Sequence, residues 1–128
     1  MEVVDEESET RKRSRLAMAG LLLFAGTSHF LVPKLYDRLI PAWLPPSARF
    51  WTHASGAVEL ATGAALLDRR TSRVGAWAAF ALLIGVFPGN IKDTVDHWPP
   101  DTSRGIGSVI RLPMQLPLLA WAWRLAHA

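Results

Sequence analysis

With 128 residues the chain has room for one domain, and half of those residues are hydrophobic. The absence of cysteine excludes disulfides, thiolate metal ligation and thiol chemistry by its own side chains. Fourteen Lys and Arg against eleven Asp and Glu give a net charge of +3, yet these cations flank apolar runs, the pattern that orients a membrane protein rather than one that grips nucleic acid.

The first fifteen residues, MEVVDEESETRKRSR, run from an acidic half into the basic cluster Arg11, Lys12, Arg13 and Arg15 without apolar periodicity. They predict a disordered, charged cytoplasmic tail, residues 1–15, and they hold the mean hydropathy of the whole chain down to +0.16. The apolar run that follows has no small-x-small cleavage site before a soluble domain, so it reads as an uncleaved membrane helix rather than a signal peptide.

Four apolar segments are predicted as helices, over residues 16–32, 51–67, 74–91 and 108–126. Each is about 17 to 19 residues long, at the short end of what spans a bilayer. No amphipathic helix is left over to wrap them. The expected fold is therefore all-α, an integral membrane four-helix bundle over residues 16–128. The stretch between the first two segments, PKLYDRLIPAWLPPSARF, carries prolines, Tyr36 and Trp43 as an interfacial loop would, and Trp98 suits the same role between the last two. Arg11, Lys12, Arg13, Arg15, Arg69, Arg70, Arg73 and Arg124 fall on one side, and Lys34, Arg38, Arg49, Lys92 and Arg104 on the other. That asymmetry predicts both termini in the cytoplasm.

Within these segments a few polar residues stand out: His29, Glu59, Asn90, Arg111 and Gln115. Counted along helices at about 1.5 Å per residue, all five fall in the outward half of the bundle. Thr52, Ser55, Gly56, Glu59, Thr62 and Gly63 share one helical face, a small-and-polar stripe that allows close helix approach. A lone charge at the centre of a membrane helix costs about 2.5 to 3.5 kcal/mol on the insertion scale, so Glu59 and Arg111 are expected to face one another. The alternative is a Glu59 that stays neutral in apolar surroundings. Either way the cluster serves as a structural lock between helices or as a ligand or proton site. Asn90, after Phe87-Pro88-Gly89, is expected to cap a broken helix end, and Pro113 and Pro117 to kink the last segment. Asp93, Asp96 and His97 lack a second nearby His, and no metal site is expected there.

The stretches GTSHFLVPKLYDRLIPAWLPP, SGAVELATGAALL, GVFPGNI and RLPMQLPLLAWAW together resemble the DoxX-like family of small bacterial membrane proteins. The match falls at His29, Phe30, Pro33, Gly56, Glu59, Pro88, Asn90, Arg111, Pro113 and Gln115. The resemblance implies a four-helix bundle in the bacterial inner membrane and, for some relatives, quinone-linked oxidoreductase assemblies. No cofactor-binding set of its own is evident in this chain. It is expected to be an accessory or scaffold subunit whose polar pocket binds a small lipid-soluble molecule, not itself an enzyme. The alternatives are a subunit of a quinone-linked membrane oxidoreductase, with quinone as cofactor and an oxidoreductase subunit as partner, and a small-solute transporter acting as a homo-oligomer. In each case the lipid bilayer is the first partner.

Overall fold

A computed structural model describes residues 7–127. It is all-α, with no strand among the described residues, and contains five helices: α1 (Glu9–Leu31), α2 (Pro33–Asp37), α3 (Ala48–Leu67), α4 (Ser72–Asp96) and α5 (Ser103–His127). Four are long, and they correspond to the four apolar segments. The fifth, α2, is a single turn inside the stretch expected as an interfacial loop, started by Pro33, whose ring presets the helical φ.

Helix ends depart most from the sequence reading, and local chemistry explains each departure. Residues 9–15, expected within a disordered tail, form the first two turns of α1, while residues 1–6 of that tail lie outside the described residues. The Ser8 side chain accepts from the Arg11 backbone N–H at 3.1 Å and so caps α1. Ser47 does the same for α3 through the Phe50 N–H, and Thr102 for α5 through the Gly105 N–H, both at 3.1 Å. With that cap α5 starts at Ser103, five residues before the expected position.

α4 continues without a break past Pro88 to Asp96. Asn90 is therefore no cap on a broken end, as its place after Pro88-Gly89 predicted, but an interior residue of a continuous helix. Proline removes only its own N–H and crowds one carbonyl, a local loss that neighbouring packing can absorb.

The long helices pack as two antiparallel hairpins, α1 on α3 and α4 on α5, joined along α3 and α4, while α1 and α5 touch only lightly. The first hairpin closes tightly because of glycine. A Cβ on Gly56 would lie 2.7 Å from the His29 Cβ, and one on Gly26 would lie 2.9 Å from the Gly56 carbonyl oxygen. The small-and-polar stripe on α3 is indeed its inward face, with Thr52, Gly56, Glu59, Thr62 and Gly63 buried.

The two ends of the bundle differ. At one end a compact apolar core forms from Met18, Leu22, Leu66, Leu83, Leu125 and several alanines. This end is laced by the charged start of α1. The Arg15 guanidinium, 4% exposed, donates to the carbonyls of Leu66 and Leu67 at 2.6 and 2.9 Å, satisfying the last turn of α3. Arg11 donates to the Leu125 carbonyl of α5, and Trp121 to Ser14, at 3.0 and 2.7 Å. Glu7 binds both arginines, and the Arg15 hydrogen bonds hold its carboxyl below the ordinary carboxylate value. At the other end polar groups occupy the interior, among them His29, Glu59, Asn90, Asp93 and Gln115.

By length and composition α4 is long and apolar enough to cross a membrane, and it is the one such helix among the described residues. Polar residues in α1, α3 and α5 dilute their apolar runs.

Candidate functional site

This polar end holds a cavity of about 440 Å³, and all five polar residues singled out in the sequence line it: His29, Glu59, Asn90, Arg111 and Gln115. α1, α3, α4 and α5 each supply at least one. α2 and its C-cap close the rim with Tyr36 and Arg38, which the sequence reading had left in a loop.

His29 is fixed from three sides. Its Nδ1 lies 2.7 Å from the Ala25 carbonyl one turn back, an approach that requires the ring proton on Nδ1 and leaves Nε2 as an acceptor. Its ring stacks on Tyr36 with centroids 3.7 Å apart, and the Tyr36 hydroxyl meets Ser28 Oγ at 2.5 Å. The Glu59 Oε2 stands 3.3 Å from the same Nδ1. Gly56, one turn from Glu59, is what lets α3 come this close.

Glu59 and Arg111, expected to face one another, do not pair. Glu59 approaches His29, and Arg111 Nη1 instead reaches Asp93 Oδ2 at 3.4 Å. The cause is the length of α4. Because that helix continues past Asn90, it brings Asp93, only 1% exposed, to the arginine. Asp93 also has Arg38 Nε at 3.8 Å and His97 Nδ1 at 3.2 Å. One buried carboxylate is thus shared between two guanidinium groups. Asp93 and Arg38 are what the sequence reading missed, and the signal was present: Asn90 and Asp93 are three residues apart, on one helical face.

The rim is tethered on the opposite side. Asp37 accepts from Thr52 Oγ1 at 2.6 Å and pairs with Arg49 at 3.0 Å. Burial alone would raise its carboxyl, but the hydrogen bonds from Arg49 and Thr52 outweigh that and leave it below the ordinary value. Lys92 donates to the Arg38 carbonyl at 3.0 Å, joining α2 to α4.

Several buried polar atoms of this end have no hydrogen-bond partner: Glu59 Oε2, Gln115 Oε1, Asp93 Oδ1 and Arg38 Nε. Such atoms are uncommon in folded proteins and call for a cause. No group of three potential metal ligands occurs among the described residues. On the far side of the His29–Tyr36 stack lies a second, largely apolar cavity of about 430 Å³, bounded by Ile40, Leu44 and Trp51.

Fold and cavity together define an all-helical bundle with an apolar core at one end and a polar chamber at the other. The chain belongs to the family described as "Domain of unknown function (DUF8561)", whose model matches residues 18–126. No curated protein and no solved structure matches it.

Proposed function

We propose that this chain is a multi-pass protein of the bacterial inner membrane, with both termini cytoplasmic. It serves as an accessory or scaffold subunit that binds a small lipid-soluble molecule in the polar cavity. One observation carries the reading: polarity is distributed inside out. Among the described residues ten buried positions are polar or charged, including Arg15, His29, Glu59, Asp93 and Gln115. Ten are hydrophobic, and five of those are alanine. Meanwhile Phe24 and Leu31 are 75% exposed, Val74 72% and Leu116 66%. In water each such side chain forfeits roughly 1.5 to 3 kcal/mol of burial energy, a loss that hydrocarbon surroundings remove. Buried ionisable groups that face one another across a bundle are also what the bilayer enforces.

Kinship with the DoxX-like proteins belongs to the same proposal and is supported by the sequence motifs, whose polar members line the cavity. A quinone-linked redox role is the second reading. In its favour, His29 lines the cavity with Nε2 left as an acceptor, a group able to take a proton from the hydroxyl of a bound quinol.

Two measurements test the proposal. After alkaline carbonate washing, the protein should stay in the membrane pellet, and release to the supernatant refutes membrane integration. After purification in mild detergent, organic extraction and mass spectrometry should recover one small molecule at close to one per chain. Glu59→Leu or Gln115→Leu should deplete it, and an empty extract from a well-folded preparation refutes the binding role.

A further inference from the structure

We infer that the ligand is an amphiphile with an uncharged polar head and a single hydrocarbon chain, the head in the polar cavity and the chain in the apolar cavity beside it. The inference rests on the binding role proposed above and names the ligand class.

The apolar cavity, about 430 Å³, is walled by α3, α4 and the segment that follows α2. Most of the polarity on its walls is already spent. The Thr52 hydroxyl donates to Asp37 at 2.6 Å, the Trp51 indole N–H donates to the Pro45 carbonyl at 3.0 Å, and the Tyr36 hydroxyl meets Ser28 at 2.5 Å. Water finds few partners in such a space, and hydrocarbon needs none. The space exists in part because α4 brings no side chain to it at Gly85, where a Cβ would meet nothing within 4 Å. At about 30 Å³ for a water-sized group, it has room for roughly a dozen methylenes.

Continuity with the polar cavity decides what that chain belongs to. His29, Tyr36, Leu39 and Val86 line both cavities, so the partition is one side chain thick. A chain leaving a head in the polar cavity passes along Leu39 and Val86, the apolar pair of that partition. The head is uncharged because the charges about the polar cavity already match: Arg38 and Arg111 stand with Asp93 and Glu59. Asn90 and Gln115, whose amides both donate and accept, are on its walls to meet a hydroxyl or carbonyl head.

The test is isothermal titration calorimetry on the full chain in lipid nanodiscs, referenced to empty nanodiscs, with three probes: 4-octylphenol, phenol and 4-octylbenzoate. 4-Octylphenol should bind one per protein, and 4-octylbenzoate, which adds an unmatched charge, roughly tenfold more weakly. Two variants reach into the apolar cavity, Gly85→Leu from α4 and Ser55→Leu from α3. Each should weaken 4-octylphenol roughly tenfold, as if about two methylenes were expelled, and leave phenol unchanged. Gly20→Leu also enters open space but lines neither cavity, and it should change nothing. Gly85→Leu removes a glycine from a helix interior, so it should melt no lower than the wild type, and its loss of binding is then not a loss of fold. If neither leucine weakens 4-octylphenol, or if both weaken phenol as much, the chain subsite is overturned. Equal or tighter binding of 4-octylbenzoate overturns the uncharged head. If a chainless or two-chained molecule is what the purified protein yields on extraction, the ligand class falls and the binding role stands. A protein that neither binds the probes nor yields an extract loses both.

Discussion

Arg15 sits where the sequence promised only an orienting charge, and replacing it with methionine tests whether the start of α1 holds the bundle together. The guanidinium is 4% exposed and makes four hydrogen bonds, two to the Leu66 and Leu67 carbonyls at 2.6 and 2.9 Å and two to Glu7 at 2.8 and 3.0 Å. Methionine keeps most of the stem and its packing but leaves the end of α3 unsatisfied and Glu7 with Arg11 alone. Breaking a buried charged pair costs about 3 to 5 kcal/mol, and the lower figure applies where water reaches the bundle end. At roughly 4 °C per kcal/mol for a domain of this size, the unfolding midpoint in detergent should fall by about 12 °C. Arg13→Met is the control: Arg13 is exposed, two residues away, and its loss should move the midpoint by no more than about 2 °C. Glu7 supplies a second arm. Its carboxyl is held below the ordinary 4.5, so its contribution is present above that value and disappears as pH falls through the lower folded value. The wild type should lose stability on acidification below about pH 4.5 more steeply than Glu7→Gln. If Arg15→Met and Arg13→Met unfold at the same temperature, the clamp does not exist and the segment is only a charged tail.

Three further outcomes follow from the site. Gly56→Ala places a methyl 2.7 Å from the His29 Cβ, so the first hairpin must open; about 1 to 3 kcal/mol of stability should go, and the extracted molecule with it. Retention of both would mean that the α1–α3 contact is looser than described. Arg111 should couple to Asp93 and not to Glu59: a double-mutant cycle on Asp93→Asn and Arg111→Gln should give up to about 1 kcal/mol, limited by the exposure of the arginine, and the Glu59 cycle less than about 0.3 kcal/mol. The reverse order would restore the pairing that the sequence predicted. Asp37 holds α2 against α3, and its folded carboxyl lies below 3.8, so the tether is complete above that value and weakens as pH drops beneath it. Proteolysis within 33–47 should accelerate at low pH in the wild type and be fast at every pH in Asp37→Asn; identical pH profiles would show that Asp37 tethers nothing.

What the sequence determined alone is the set of long helices and the residues that gather inside them. Apolar runs of that length leave little choice but helix, and the 3.6-residue period fixes which side chains share a face, so Thr52, Gly56, Glu59 and Thr62 could be placed inward without any neighbour in view. The same arithmetic set His29, Glu59, Asn90, Arg111 and Gln115 in one half of the bundle, and they line one cavity. The partners were not legible. Which carboxylate Arg111 met depended on where α4 stopped, and proline and glycine at 88 and 89 argued for a stop that the helix does not make. Once that helix ran on, Asp93 reached the arginine first. The caps at Ser8 and Thr102, the turn of α2 and the clasp of Arg15 on α3 were equally beyond a periodicity argument, because each is decided by a single contact between residues far apart in the chain or at a helix end. Spacing along a helix is local and can be counted; charge pairing is a competition settled only when every candidate is in its place.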